Sequence, residues 1–284
     1  MKVGCHMAFS ERTSPDYIRR AGQIVEELGF HSLWVPEHVL FFPRYESRYP
    51  YSDDGKLRGD PKSLMDPFSA LTFIAACTQT IRLGTGICLV PQRNPVYTAR
   101  QVSDLDYLSG GRFDFGIGIG WLKEEFEALD VPWANRAGRT MECIEVMKTL
   151  WCDDISSHQG ERFHIEAAYQ NPKPVQQPHP PLIFGGESDA ALERVAAVGQ
   201  GWFGFNLTPG ELDERMRKLD ALLAAKGRSL SDIEVYVTPA GEATNVDDIK
   251  ALVSLGVQQV ILSVFARDTD QLGERAERTL ALVG

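Results

Sequence analysis

The chain has 284 residues, of which 43% are hydrophobic and 24% charged. That is enough apolar material for a sizeable core and excludes a disordered chain. The formal charge of −10 argues against a nucleic-acid partner or an anionic membrane surface, and no apolar run approaches the length of a membrane span.

Strand and helix patterns alternate from the start. The opening residues read directly as a strand over 3–9, with no signal-peptide pattern ahead of it. Ser14-Pro15 then supplies a cap and a first-turn proline for a helix to residue 28, with Ile18, Ala21, Val25 and Leu28 on one face and Gly29 as the stop. A second strand covers 32–36. A long insert over 39–63 follows, carrying Phe41, Phe42, Tyr45, Tyr49 and Tyr51 among Arg44, Arg48, Lys56, Arg58 and Lys62. Asp66-Pro67 opens a helix to about residue 78, strand three covers 81–89, and Asn94-Pro95 opens the next helix. Strand four, 113–119, ends in glycines at every second position and then Trp121.

Glycines on one strand face admit something close to the backbone. At the carboxyl end of a strand that can be a flat ring, and in a tight barrel interior it can be a neighbouring side chain. A helix over 136–151, a hairpin excursion over 155–170 around Gly160 and a proline-rich bridge come next. Strand five covers 182–184, and Ser188 caps the following helix. Strands six, seven and eight cover 201–205, 234–238 and 259–264, each with a helix after it.

Eight β–α units in one chain of this length predict a single-domain α/β fold over residues 1–284, a (β/α)8 TIM barrel. It carries insertions after strands two and four and a hairpin before strand five. An open doubly wound sheet is the rival, but it usually has fewer strands, and G-x-G-x-x-G is missing from the first β–α turn. Five scattered cysteines without C-x-x-C spacing read as buried reduced thiols of a cytoplasmic protein, and six histidines without metal-ligand spacing predict no metal site. In a barrel the functional residues lie just after each strand. Those are Ala8-Phe9, Glu37-His38, the stretch from Cys88 to Asn94, Gly118 to Trp121, Gly185 to Ser188, and Asn206.

With these pieces assembled, the chain resembles the bacterial luciferase-like flavin monooxygenases, and among them the branch that uses the deazaflavin coenzyme F420. Six segments, in family order over roughly residues 30 to 205, carry the resemblance. They are Leu33-Trp34-Val35-Pro36-Glu37-His38, Ile81-Arg82-Leu83-Gly84-Thr85-Gly86, Arg93-Asn94-Pro95, Asp106-x-Leu108-Ser109-Gly110-Gly111-Arg112, Gly116-x-Gly118-x-Gly120-Trp121 and Gly185-Gly186. Both the F420 and FMN branches share most of this set.

The resemblance implies a barrel, commonly a homodimer, that holds F420 at its carboxyl end and moves a hydride to or from a small organic substrate; the alternatives are an FMN-dependent monooxygenase and a non-catalytic barrel that binds a flavin without turnover. His38 matches the histidine that carries proton transfer in the F420 branch, a task suited to imidazole. The alternative is a hydrogen-bonded histidine without chemistry. Glu37 is either its orienting partner or a carboxylate in an ion pair. Gly86 and Ile87 fall where related enzymes have a bulge with a non-prolyl cis peptide behind the ring.

Gly185, Gly186, Glu187 and Ser188 suit a phosphate at a helix N-terminus, or simply a capped turn, with the Glu187 side chain pointing away. Gly118, Gly120 and Trp121 would wall the ring or the substrate, unless Trp121 is core under the following helix. A sugar-phosphate dehydrogenase group in this family has a carboxylate where Trp121 stands, so that specificity is not implied. Glu124 and Glu125 read as solvated helix charges, and Arg136 and Arg139 as ion-paired, for instance Arg139 with Glu142. The insert reads as a lid or substrate wall, its bases free to meet an anionic tail, or as a subunit contact.

Overall fold

The computed structural model describes residues 1–57, 61–241 and 245–283. Its elements run β1 (Lys2–His6), α1 (Pro15–Glu27), β2 (Ser32–Val35), α2 (Pro67–Ala75), β3 (Arg82–Thr85), β4 (Cys88–Leu89), α3 (Pro95–Ser109), β5 (Phe113–Gly118), α4 (Lys123–Ala128), α5 (Arg136–Cys152), β6 (Ser156–Gln159) and β7 (His164–Ala168). They continue with β8 (Leu182–Gly185), α6 (Asp189–Val198), β9 (Gly201–Leu207), α7 (Pro209–Ala224), β10 (Glu234–Pro239), α8 (Val246–Ser254), β11 (Gln259–Ser263) and α9 (Thr269–Ala281).

The parallel sheet runs β3-β2-β1-β11-β10-β9-β8-β5-β4, and a further β3–β5 pairing closes it. β3 and β4 are two halves of one barrel strand, so the ring has eight staves and is a (β/α)8 barrel. The predicted continuous strand over 81–89 is interrupted at Gly86–Ile87, whose peptide is cis. β6 and β7 form the separate antiparallel hairpin, with Gly160 just past β6 in the connection between them.

The helices begin where the sequence places its caps. Ser14, Asp66, Asn94 and Ser188 each accept a backbone N–H in the first turn that follows. One apolar layer lies between the barrel and its helices. A second fills the barrel itself, where Trp34, Ile183, Phe203, Tyr236 and Ile261 pack with Ile87 above them. Trp34 sets the shape of that interior: its indole takes the space a side chain at Gly84 would need, and its ring lies 5.3 Å from that of Phe203. The cysteines are all free, but Cys152 is exposed and Cys77 half-buried, so burial holds for Cys5, Cys88 and Cys143. Among the described residues no helix is long and apolar enough to cross a membrane.

Candidate active site

The carboxyl ends of the strands open into a cavity of about 860 Å³. It is lined from β1 by His6, from the segment after β2 by Glu37 and His38, from the β3–β4 break by Gly86 and Ile87, from the end of β5 by Gly118, Gly120 and Trp121, and after β8 by Gly185 to Ser188. Every residue given a catalytic or cofactor role from the sequence therefore reaches one space. Asn206, also expected at the barrel mouth, is exposed and stands outside this lining.

Within the cavity the glycines have different tasks. The Ile87 side chain occupies the places that side chains at Gly118 and Gly185 would fill. The result is an apolar floor made by one branched residue lying on two bare backbones. Gly120 turns the chain at φ +76°, with Phe126 2.8 Å from where its Cβ would stand. Gly186 has φ +104°, and its carbonyl accepts the Trp202 indole N–H at 3.0 Å. Ser188 spends its hydroxyl on capping α6, accepting the Ala191 N–H at 3.2 Å.

Glu37 and His38 point to different partners. Glu37 is buried and ion-paired with Arg93, whose Nε lies 2.7 Å away, and it accepts the Leu89 N–H at 2.5 Å. Arg93 also reaches Asp66 at 2.6 Å. This carboxylate ties β2 to β4 and the start of α2 and does not orient His38.

That partner is Glu125. Its Oε2 lies 3.0 Å from His38 Nδ1 and accepts from Gln92 Nε2 at 2.9 Å. Its Oε1 accepts the Val39 and Leu40 N–H groups at 2.6 and 3.0 Å. Burial opposes its ionisation, but donation from His38, Gln92 and the Leu40 N–H outweighs this, and its pKa falls below the usual range.

The reading of Glu124 and Glu125 as solvated charges is thus corrected. The Gly120 turn swings α4 back over the insert, so both carboxylates face inward. Glu124 accepts from the Glu46 and Ser47 N–H groups and the Ser47 hydroxyl, and although burial works against it these donors pull its pKa to about 2.

The insert after β2 lies over the cavity as an aromatic cover. Tyr45 and Tyr49 meet the Trp121 ring edge-to-face at 5.7 and 5.2 Å, and Tyr51 meets Phe205 at 4.9 Å. The Tyr51 hydroxyl donates to Glu187, which also accepts the Phe205 N–H at 2.8 Å. Glu187 is thus held against the insert and the end of β9, and burial raises its pKa. Of the insert's bases, Arg48 lines the cavity. Arg58 lies outside the described residues.

Two further cations line the cavity. Arg136 lies 3.7 Å above the Trp133 ring and donates from Nε to the Gly120 carbonyl at 3.3 Å. Arg194 projects from α6, three residues beyond Ala191 on the same helix face, and its buried Nε has no acceptor. Burial lowers the pKa of both, and the charge of Arg136 lowers Arg194 further, so the two cations are neighbours.

Neither arginine is in an ion pair among the described residues, which corrects the reading of Arg136. Arg139 is not paired with Glu142 either. It donates to the Pro91 carbonyl at 2.8 Å, while Glu142 binds Arg162 and the backbone of the hairpin. Sequence reasoning missed Arg194 altogether, and the face it shares with Ala191 was the one available sign. It also passed over His6, whose Nε2 lies 3.4 Å from the Gly86 carbonyl and whose pKa burial pushes down to about 4.

The chain is similar to known proteins in both sequence and fold. An uncharacterised protein of Mycobacterium tuberculosis is 32% identical over 238 residues, covering 84% of this chain and 81% of that one. The FMNH2-dependent dimethylsulfone monooxygenase of Pseudomonas putida is 28% identical over 218 residues, 76% of this chain and 55% of that enzyme. A solved F420-dependent secondary alcohol dehydrogenase, bound to an F420–acetone adduct, superposes over 100% of this chain and 99% of its own with a TM-score of 0.79 at 16% identity, which shows a shared fold. The profile of the luciferase-like monooxygenases matches residues 2–275, and the chain belongs to that family.

Proposed function

We propose that this protein is an oxidoreductase that moves a hydride between coenzyme F420 and a small organic substrate. The observation that carries this reading is the layout of one cavity. That one space holds an apolar floor at Ile87, the imidazole of His38 and two arginines that have no ion pair among the described residues. A planar ring with an anionic tail has that distribution of chemistry. The orphaned Arg194 Nε and the glycine-lined start of α6 fit a phosphate. At about 860 Å³ the cavity is at the upper end for a small-molecule site and leaves room for a substrate beside a ring.

Gly86, Ile87, Gly118, Gly120 and Trp121 would hold the ring, and Gly185 to Ser188 with Arg136 and Arg194 its phosphate. When bound, the cofactor supplies the capacity to accept or release a hydride. The chain supplies the rest. His38 holds or moves a proton at Nε2, the aromatic insert keeps water out, and Arg136 and Arg194 fix the anion.

A second reading is an FMN-dependent monooxygenase, favoured by the 28% identity to the dimethylsulfone enzyme. Assay separates the two. Reduction of F420 by a panel of small alcohols without oxygen uptake supports the first. Oxygen uptake with reduced FMN and an oxygenated product supports the second, and neither activity refutes both.

We also infer a cytoplasmic homodimer. The neighbouring helices α2 and α3 expose Phe73, Val96, Tyr97, Tyr107 and Leu108, a face suited to a second copy. Light scattering at the expected dimer mass supports this, and a monomer at micromolar concentration refutes it.

A further inference from the structure

We propose that Glu125 is the positioning residue of His38, holding it as the Nδ1–H tautomer so that Nε2 meets the cavity as a proton acceptor. This rests on the reading of His38 as the proton-transfer group, but its test does not.

The assignment follows from donors and acceptors. Oε1 of Glu125 is filled by the Val39 and Leu40 N–H groups, and Oε2 by Gln92 Nε2 and His38 Nδ1. An ionised carboxylate only accepts, so the ring nitrogen facing it must carry hydrogen. On the other side, the indole N–H of Trp121 points to His38 Nε2 at 3.2 Å. An indole only donates, so Nε2 must carry a lone pair. Two partners of opposite character, on opposite edges of one ring, select the same tautomer.

The hold is rigid as well as selective. Glu125 is fully buried, and it grips the main chain just after His38 in addition to the ring, so side chain and backbone are located by one carboxylate. Phe41 and Trp121 flank the imidazole at ring separations of 5.1 and 5.7 Å. A ligand that displaces the indole from Nε2 would meet a lone pair there, which an O–H or N–H satisfies.

Nitrogen-15 NMR of the histidine rings in the protein without cofactor tests this, with the His38 signals assigned by their loss in His38→Asn. The expected result is a pyrrole-type Nδ1 and a pyridine-type Nε2 at neutral pH. In Glu125→Gln the carbonyl still serves Val39 and Leu40, and the amide NH2 faces His38. With Trp121→Phe added to remove the indole donor at Nε2, the expected result is a switch to the Nε2–H tautomer, and Glu125→Asp in place of Glu125→Gln restores Nδ1–H. An Nε2–H tautomer in the unaltered protein overturns the proposal even if Glu125→Gln fails to fold. So does a folded Glu125→Gln/Trp121→Phe protein that keeps Nδ1–H. None of these readouts uses turnover, so the role of Glu125 is decided even where the cofactor assignment fails.

Discussion

Ile87 lies across Gly118, filling the position that a side chain there would take, and so the floor of the cavity is set by a buried glycine. Gly118→Val would drive Ile87 upward into the cavity. The expected cost is that of an overpacked core, about 1–3 kcal/mol, with at least about tenfold weaker F420 binding as the floor is lost. Thermal melting and a fluorescence titration of the same variant measure the two effects. A variant that binds normally would show that the ring lies elsewhere.

His38→Ala is expected to leave the fold and cofactor affinity unchanged while turnover falls about two to four orders of magnitude, the range for a positioned proton-transfer group. Steady-state kinetics with a verified substrate checks it, and unchanged turnover removes His38 from the chemistry.

Arg194→Gln separates binding from folding. Its buried Nε has no acceptor within the described chain, so the substitution relieves an unpaired group and is expected to hold or raise the melting temperature of the ligand-free protein. Affinity for F420 or FMN is expected to drop about tenfold or more with the loss of a charge-assisted contact. A variant that binds as tightly as the original places the phosphate away from α6. Gly186→Val is a poorer probe, because φ +104° strains any side chain there and mixes stability with binding.

The barrel was legible because its signals are local. Ser14-Pro15, Asp66-Pro67 and Asn94-Pro95 start their helices through contacts within a few residues. The break in the third barrel strand and the cis Gly86–Ile87 peptide agree with what the family resemblance implied. The polar half of the site was not legible in the same way. Glu125 sits in an acidic run that looks solvated, and only the turn at Gly120 brings it to His38, 87 positions earlier in the chain. Glu142 has Arg139 at helical spacing, yet its carboxylate is taken by Arg162 from the hairpin 20 residues on. Spacing along a helix says which side chains can meet, and packing between elements decides which do.

Acid is expected to destabilise the fold through His6. Its pKa drops from 6.5 to about 4 in the folded protein because burial disfavours the charged ring. The unfolded chain therefore takes up a proton that the folded chain refuses, and stability is present above pH 6.5 and lost as pH falls toward 4. His31 and His179, also lowered by burial, add in the same direction. Urea midpoints at about pH 7 and pH 5 are expected to differ, with His6→Gln recovering about 1–2 kcal/mol of the difference. An equal fall in the variant would assign the acid sensitivity to other groups.

The most direct measurement is equilibrium titration of the cofactor-free protein with F420 and, separately, with FMN, followed by fluorescence. The expected result is saturable one-site binding of F420, tighter than FMN, and weakened in both Arg194→Gln and Gly118→Val. Absence of binding by either cofactor would contradict the cavity's assignment as a flavin-type site, and FMN binding tighter than F420 would contradict the choice of hydride transfer through the deazaflavin.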